Sequence, residues 1–140
     1  MGRNIEELIV GEKLMITEKI EDKDLLLYLG LTNDNNPLYI QRDFASKSIY
    51  ENPIVPPIML TGIITSALSK YLPGPGSHLT RQIVSFPTPT YHYAIVTFNF
   101  EVKEVHVHAN EVVIYVNAQN EQNDTVVDGI FHVTPPVKEN

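Results

Sequence analysis

The order of patterns along this chain predicts an α+β fold, a curved antiparallel sheet wrapped around one long central helix. Two observations carry that prediction. From Pro57 to about Tyr71 the apolar residues Ile58, Met59, Leu60, Ile63, Ile64, Ala67, Leu68 and Tyr71 recur at helical spacing and cover most of the circumference, as in a helix buried on nearly every side. After Pro73-Gly74-Pro75-Gly76 the composition switches to Val, Ile, Thr, Phe and Tyr with period-two alternation, clearest in Val96-x-Phe98-x-Phe100-x-Val102. Such a helix has to be covered, and four strands with a possible fifth can do so as one sheet.

The elements follow in order. Lys13 to Ile20 alternates loosely and reads as the possible N-terminal strand. Asp22 can cap a short helix through Leu25, Leu26, Leu27 and Leu29 that Gly30 ends. Arg42 to Ser48 is weakly amphipathic, with Phe44 and Ala45 as its core-facing residues, and Glu51-Asn52-Pro53 breaks it. Pro57 suits a first helical position, where its missing N–H would be unpaired anyway. Leu79 to Phe86, Ile95 to Val105, Val112 to Ala118 and Val126 to Val133 are the later strands, with turns at Ala109-Asn110 and Asn120 to Asp124. Pro87-Thr88-Pro89 is a crossover or edge that cannot donate a full ladder.

Composition narrows the function classes. At 140 residues and 43% hydrophobic, residues 1–140 suffice for one well-buried core and make a single domain. A net charge of −7 without a basic stripe argues against nucleic acid. With no cysteine there is no disulfide, thiolate nucleophile or zinc–sulfur site, and no apolar leader follows Met1-Gly2-Arg3-Asn4, so a cytoplasmic protein is expected. The apolar runs fall well short of the ~20 residues that cross a bilayer, so no membrane is expected.

Chemistry concentrates in Thr32-Asn33-Asp34-Asn35-Asn36-Pro37-Leu38-Tyr39, which sets a lone carboxylate beside amides and a phenol. Asp34 can act as a base and Asn36 can orient a water, whereas the phenol of Tyr39 donates but does not accept a proton at neutral pH. The plain structural reading is an Asx-type turn ahead of Pro37. Among the histidines, His106 and His108 share one face of a strand, but no cysteine or carboxylate cluster completes a metal set, so no metal is expected. His78 and His132 read as strand-surface residues and His92, between Tyr91 and Tyr93, as a loop histidine. Pro73-Gly74-Pro75-Gly76 lacks the Lys-Ser/Thr of a phosphate loop, which leaves scattered cations such as Arg42, Lys47, Lys70 and Arg81 for any coenzyme A phosphates.

Asp34-x-Asn36-Pro37-Leu38, Asn52-Pro53-Ile54-Val55, Leu72-Pro73-Gly74-x-Gly76-Ser77 and Val84-Ser85-Phe86, in that order, resemble the MaoC-like dehydratases and (R)-specific enoyl-CoA hydratases. The resemblance covers the whole chain and implies the hot-dog fold. It further implies catalytic roles for Asp34, Asn36 and Tyr39, and contacts to the substrate from Asn33, Pro57, Ile58 and Thr65, the last standing where the hydratases carry a serine. Two positions depart from the enzymes' pattern. Tyr39 stands in place of their histidine, and Pro56-Pro57 in place of a His-Gly pair whose glycine N–H polarises the thioester carbonyl; Ile58 offers the next N–H. Asn-Pro-Leu-Tyr followed by Val-Pro-Pro also resembles the substrate-binding halves of such dehydratases.

What the resemblance implies is hydration or dehydration of an acyl thioester of coenzyme A or a carrier protein, with no further cofactor, in a homodimer or a heterodimer with another hot-dog subunit. The alternatives are a non-catalytic acyl-thioester-binding subunit and a hot-dog thioesterase. A plain strand-paired dimer also follows from a small sheet with open edges.

Overall fold

The computed structural model describes residues 2–137. A short 3₁₀ turn at Ile5–Glu7 precedes β1 (Lys13–Lys19), α1 (Asp22–Thr32), α2 (Pro37–Ile40), α3 (Arg42–Ser46), α4 (Pro57–Lys70), β2 (His78–Ser85), β3 (Ile95–His106), β4 (Glu111–Gln119) and β5 (Thr125–Thr134). The strands form one five-stranded sheet in the order β1-β3-β4-β5-β2, every neighbouring pair antiparallel. Bulges between Leu79 and Arg81, Val102 and Glu104, and Ala118 and Gln119 bend the strands.

The alternation read from the sequence becomes two faces. Val96, Phe98, Phe100 and Val102 of β3, Val112, Ile114, Val116 and Ala118 of β4, and Phe131 and Val133 of β5 are buried, and they join Leu60, Ile64, Ala67 and Leu68 of α4 in one core. The opposite face is open, as one face of an antiparallel sheet can be, and mixes polar side chains with the exposed Met15, Ile83 and Ile130. There Glu101 pairs with Lys103 at 2.8 Å, Tyr115 bonds Asp128, and His132 Nδ1 lies 3.1 Å from Glu111 Oε1. This is the hot-dog arrangement, a helix held by a curled sheet.

Four expectations are corrected. Helix α1 crosses Gly30 and ends at Asn33, whose φ of 56° lies in the left-handed region and whose N–H bonds Leu29 O at 2.8 Å. Asn tolerates that conformation as glycine does, so the stop signal was Asn33 and not Gly30. The residue ahead of the helix is Glu21 rather than Asp22, with Asp24 accepting the Glu21 N–H at 3.0 Å. Phe44 is half exposed while Ala45 is buried, because α3 is too short to turn two neighbouring side chains inward. Helix α4 buries a stripe, Leu60, Thr61, Ile64, Ala67 and Leu68, and leaves Ile58 54% and Tyr71 56% exposed. In addition, β3 stops at His106, and His108 sits in the turn that follows instead of on the strand.

Gly129 of β5 shows how tightly β2 is laid on the sheet. A Cβ there would stand 2.8 Å from the Ile83 carbonyl oxygen and 3.1 Å from Val84 Cα. Gly129→Ala is therefore expected to destabilise the fold by about 1–3 kcal/mol, read as a lower urea midpoint; an unchanged midpoint would mean that β2 is free to move away.

Candidate active site

The loop between α1 and α2 is built almost entirely from side-chain-to-backbone bonds. Thr32 Oγ1 donates to Tyr28 O at 2.9 Å and accepts the Asp34 N–H at 3.2 Å. Asp34 Oδ1 accepts the Asn36 N–H at 3.1 Å, and Asn36 Oδ1 in turn accepts the Leu38 N–H at 3.0 Å, capping α2 with Pro37 at its first position. The Asx turn is thus fully made. It does not exhaust Asp34, because a carboxylate offers about four acceptor positions.

The second oxygen of Asp34 has a partner from outside the loop. Tyr28 OH, on α1, donates to Asp34 Oδ2 at 2.7 Å. That bond to the carboxylate, with some burial, pushes the Tyr28 phenol above its ordinary value. Tyr39 is also raised, first by burial and then by the negative charge of Asp34, with the Asn36 side chain acting in the opposite direction. Both phenols stay protonated donors around a half-buried carboxylate. Tyr28 is a residue that sequence reasoning missed; its signal was its place three residues after the buried Leu25, on the inward face of α1.

The loop is tied to the start of α4. Ile54 N–H bonds Leu38 O at 3.0 Å, Ile54 bridges to Tyr91, and Val55 N–H bonds Thr90 O at 2.7 Å. Two residues on, Pro56 and Pro57 open the helix with no N–H of their own, and Met59 N–H is taken up by Pro56 O at 3.0 Å. Ile58 therefore carries the first N–H of the helix, at the end where the helix dipole is positive. Thr65 spends its hydroxyl proton on Thr61 O at 2.8 Å within the same helix, and Asn33 serves through its backbone as the end of α1.

Two cavities adjoin these elements. One of about 780 Å³ is walled by Leu25, Leu29, Tyr39, Pro53, Tyr91 and His92. The other, about 380 Å³, runs between β1, α1 and α4 against Ile16, Ile20, Leu27, Met59, Ile63 and Ala67. Of the remaining histidines, His106 Nε2 lies 3.2 Å from Glu104 Oε1 on the surface. Among the described residues no group of three or more His, Asp or Glu is placed to hold a metal ion. Nor, among them, is any helix long and apolar enough to cross a membrane.

Comparison with known proteins places this geometry. The MaoC like domain matches residues 9–124. The chain belongs to the MaoC-like domain family. It is 31% identical over 97 residues to an (R)-specific enoyl-CoA hydratase of Aeromonas caviae, covering 69% of this chain and 72% of that protein. An (R)-specific enoyl-CoA hydratase of Rhodospirillum rubrum is 29% identical over 84 residues, which are 60% of this chain and span 58% of the relative's length. Among solved structures, the unliganded R-hydratase of Pseudomonas aeruginosa superposes with a TM-score of 0.89 at 26% identity, over 98% of this chain and 88% of that one. The MaoC-like match includes the whole of the Asp34 loop and the start of α4.

The Tyr28–Asp34 bond predicts a titration. Because the folded phenol is raised, this contact contributes stability in full below the ordinary phenol value of about 10 and loses it as pH rises through the higher folded value. Asp34→Asn is expected to move part of the phenolate absorbance titration to lower pH, since Tyr28 and Tyr39 both lose a negative neighbour; a curve identical to the unaltered protein's would contradict the contact.

Proposed function

We propose that this MaoC-like protein adds water reversibly across the double bond of a 2-enoyl thioester, giving the 3-hydroxyacyl form. The observation that carries the reading is Asp34: a carboxylate fixed by Tyr28 and by the Asn36 N–H, with acceptor positions to spare, on a loop that leads into α2, whose Leu38 O is bonded by Ile54 N–H just ahead of α4. The similarity to enzymes named (R)-specific enoyl-CoA hydratase and, in Methylorubrum extorquens, 3-hydroxybutyryl-CoA dehydratase supports it.

In the proposed reaction Asp34 takes a proton from water as the water oxygen bonds to C3. The electrons of the double bond pass to the thioester oxygen, and the same carboxyl group returns the proton to C2 as the enolate collapses, so that one water is gained and the carboxylate restored. Asn36 lies beside the water, and Tyr39 donates a hydrogen bond without taking a proton. The developing charge on the thioester oxygen falls to the Ile58 N–H, since Pro57 has none to give. The acyl chain lies in the cavity along α4, against its apolar wall of Ile16, Ile20, Met59, Ile63 and Ala67. Nothing beyond the thioester is required as a cofactor. Coenzyme A or a carrier protein could carry the acyl group through the same chemistry.

A second reading rests on Pro57. Lacking that donor, the chain would hold an acyl thioester and leave the chemistry to a second hot-dog subunit. A two-subunit complex from Mycobacterium tuberculosis shares the fold, with a TM-score of 0.80 at 20% identity. Either reading suits a dimer, for β2 is an edge strand with Ile83 exposed.

The test is the loss of enoyl absorbance when the purified protein meets crotonyl-CoA. Turnover is expected, with Asp34→Asn lowering kcat by roughly 100-fold or more and Pro57→Gly raising it about 10-fold by supplying a donor. Turnover indifferent to Asp34→Asn would overturn the mechanism, thioester binding without turnover would favour the binding subunit, and release of free thiol would make the protein a thioesterase.

A further inference from the structure

Among the described residues, three buried side-chain atoms have no hydrogen-bond partner, Thr90 Oγ1, His92 Nδ1 and His92 Nε2. All three fall in one stretch of three residues. Buried polar groups are as a rule hydrogen-bonded, so a cluster without protein partners marks a place where a bound water or ligand would supply the bond.

Their position gives the use. Val55 N–H bonds Thr90 O at 2.7 Å, and Ile54 bonds Leu38 O and bridges to Tyr91, so Leu38 and Tyr91 both adjoin the segment that leads into α4. His92 and Tyr39 wall the same cavity of about 780 Å³. The segment is held firmly around the histidine. Tyr91 OH donates to Tyr50 O at 2.8 Å, Tyr93 N–H bonds Ile20 O at 2.7 Å, and Tyr93 has a φ of 68° in the left-handed region, unusual for a bulky residue. Strain of that kind persists where surrounding structure enforces it, and it accumulates at functional sites.

We propose that His92 supplies the imidazole that position 39 lacks, accepting a hydrogen bond from the water that Asp34 activates. The role requires the ring to turn until one nitrogen faces the cavity that His92 walls, where it would bond the bound water. A neutral imidazole donates with one nitrogen and accepts with the other, and that nitrogen is a stronger acceptor than the phenol oxygen of Tyr39. The role rests on the hydratase reading above.

The experiment compares His92→Leu, His92→Gln and His92→Asn with the unaltered protein for crotonyl-CoA hydration, KM and Tm. His92→Leu is expected to lower kcat by roughly 30-fold or more with KM within about 3-fold, while Tm holds or rises because unpaired polar atoms have been removed. His92→Gln or His92→Asn restores part of the rate by returning an acceptor. Unchanged kcat in His92→Leu overturns the proposal, and so does a fall in Tm that accompanies the loss of rate, since that makes His92 a packing residue. If Asp34→Asn abolishes turnover and His92→Leu does not, the role of His92 alone fails; if the unaltered protein does not hydrate the thioester, the hydratase reading fails and this role with it.

Discussion

The seat of α4 on the sheet is the constraint from which the rest follows. Leu60, Ile64 and Leu68 are pressed among Phe98, Phe100, Ile114 and Phe131, all close to fully buried. Large core residues interlock at crystal-like density, so the helix cannot slide without opening voids worth several kcal/mol. Its first turn is thereby fixed in space, and Val55 and Pro56, both buried, carry that position back to Ile54, which bonds Leu38 and bridges to Tyr91. Through those bonds the core positions α2 and the Asp34 loop ahead of it, which has little burial of its own.

What the site then offers is rich in donors. Tyr28 and Tyr39 are phenols held in the protonated form, and two prolines stand at the start of the helix. Asp34 is the acceptor at its centre. A carboxylate ringed by donors is well oriented; the role proposed for His92, which walls the same cavity as Tyr39, is to add an acceptor for the water. The prolines have a compensating effect. Each fixes its own φ and so stiffens the approach to the helix, which keeps the Ile58 N–H in one place.

Much of this was legible in the sequence. The alternation of Val96, Phe98, Phe100 and Val102 gave β3 and its buried face, and Pro57 marked the start of α4 to the residue. The Asp34 loop was recognisable because Asn, Asp and Pro at those spacings must make turns. What escaped has particular causes. Gly30 looked like a stop, but its cost inside a helix is only about 1 kcal/mol, less than the packing of α1 provides. The circumference of α4 looked wholly buried because Ile58 and Tyr71 are apolar wherever they point. Tyr28 was hidden by its distance of six positions from Asp34, a contact that only the reversal of the chain at Asn33 creates. His92 looked like any loop histidine, since nothing in a sequence tells whether a ring nitrogen is paired.

The central claim is that the start of α4, despite its two prolines, holds the thioester oxygen through Ile58. The most direct measurement is the infrared carbonyl band of carbon-13-labelled butyryl-CoA, a saturated thioester that cannot be hydrated, when bound to the protein. The account predicts a shift of that band to lower frequency in the complex, the mark of a carbonyl polarised by a fixed donor. A band at the same frequency as in water, with the ligand bound, would contradict it.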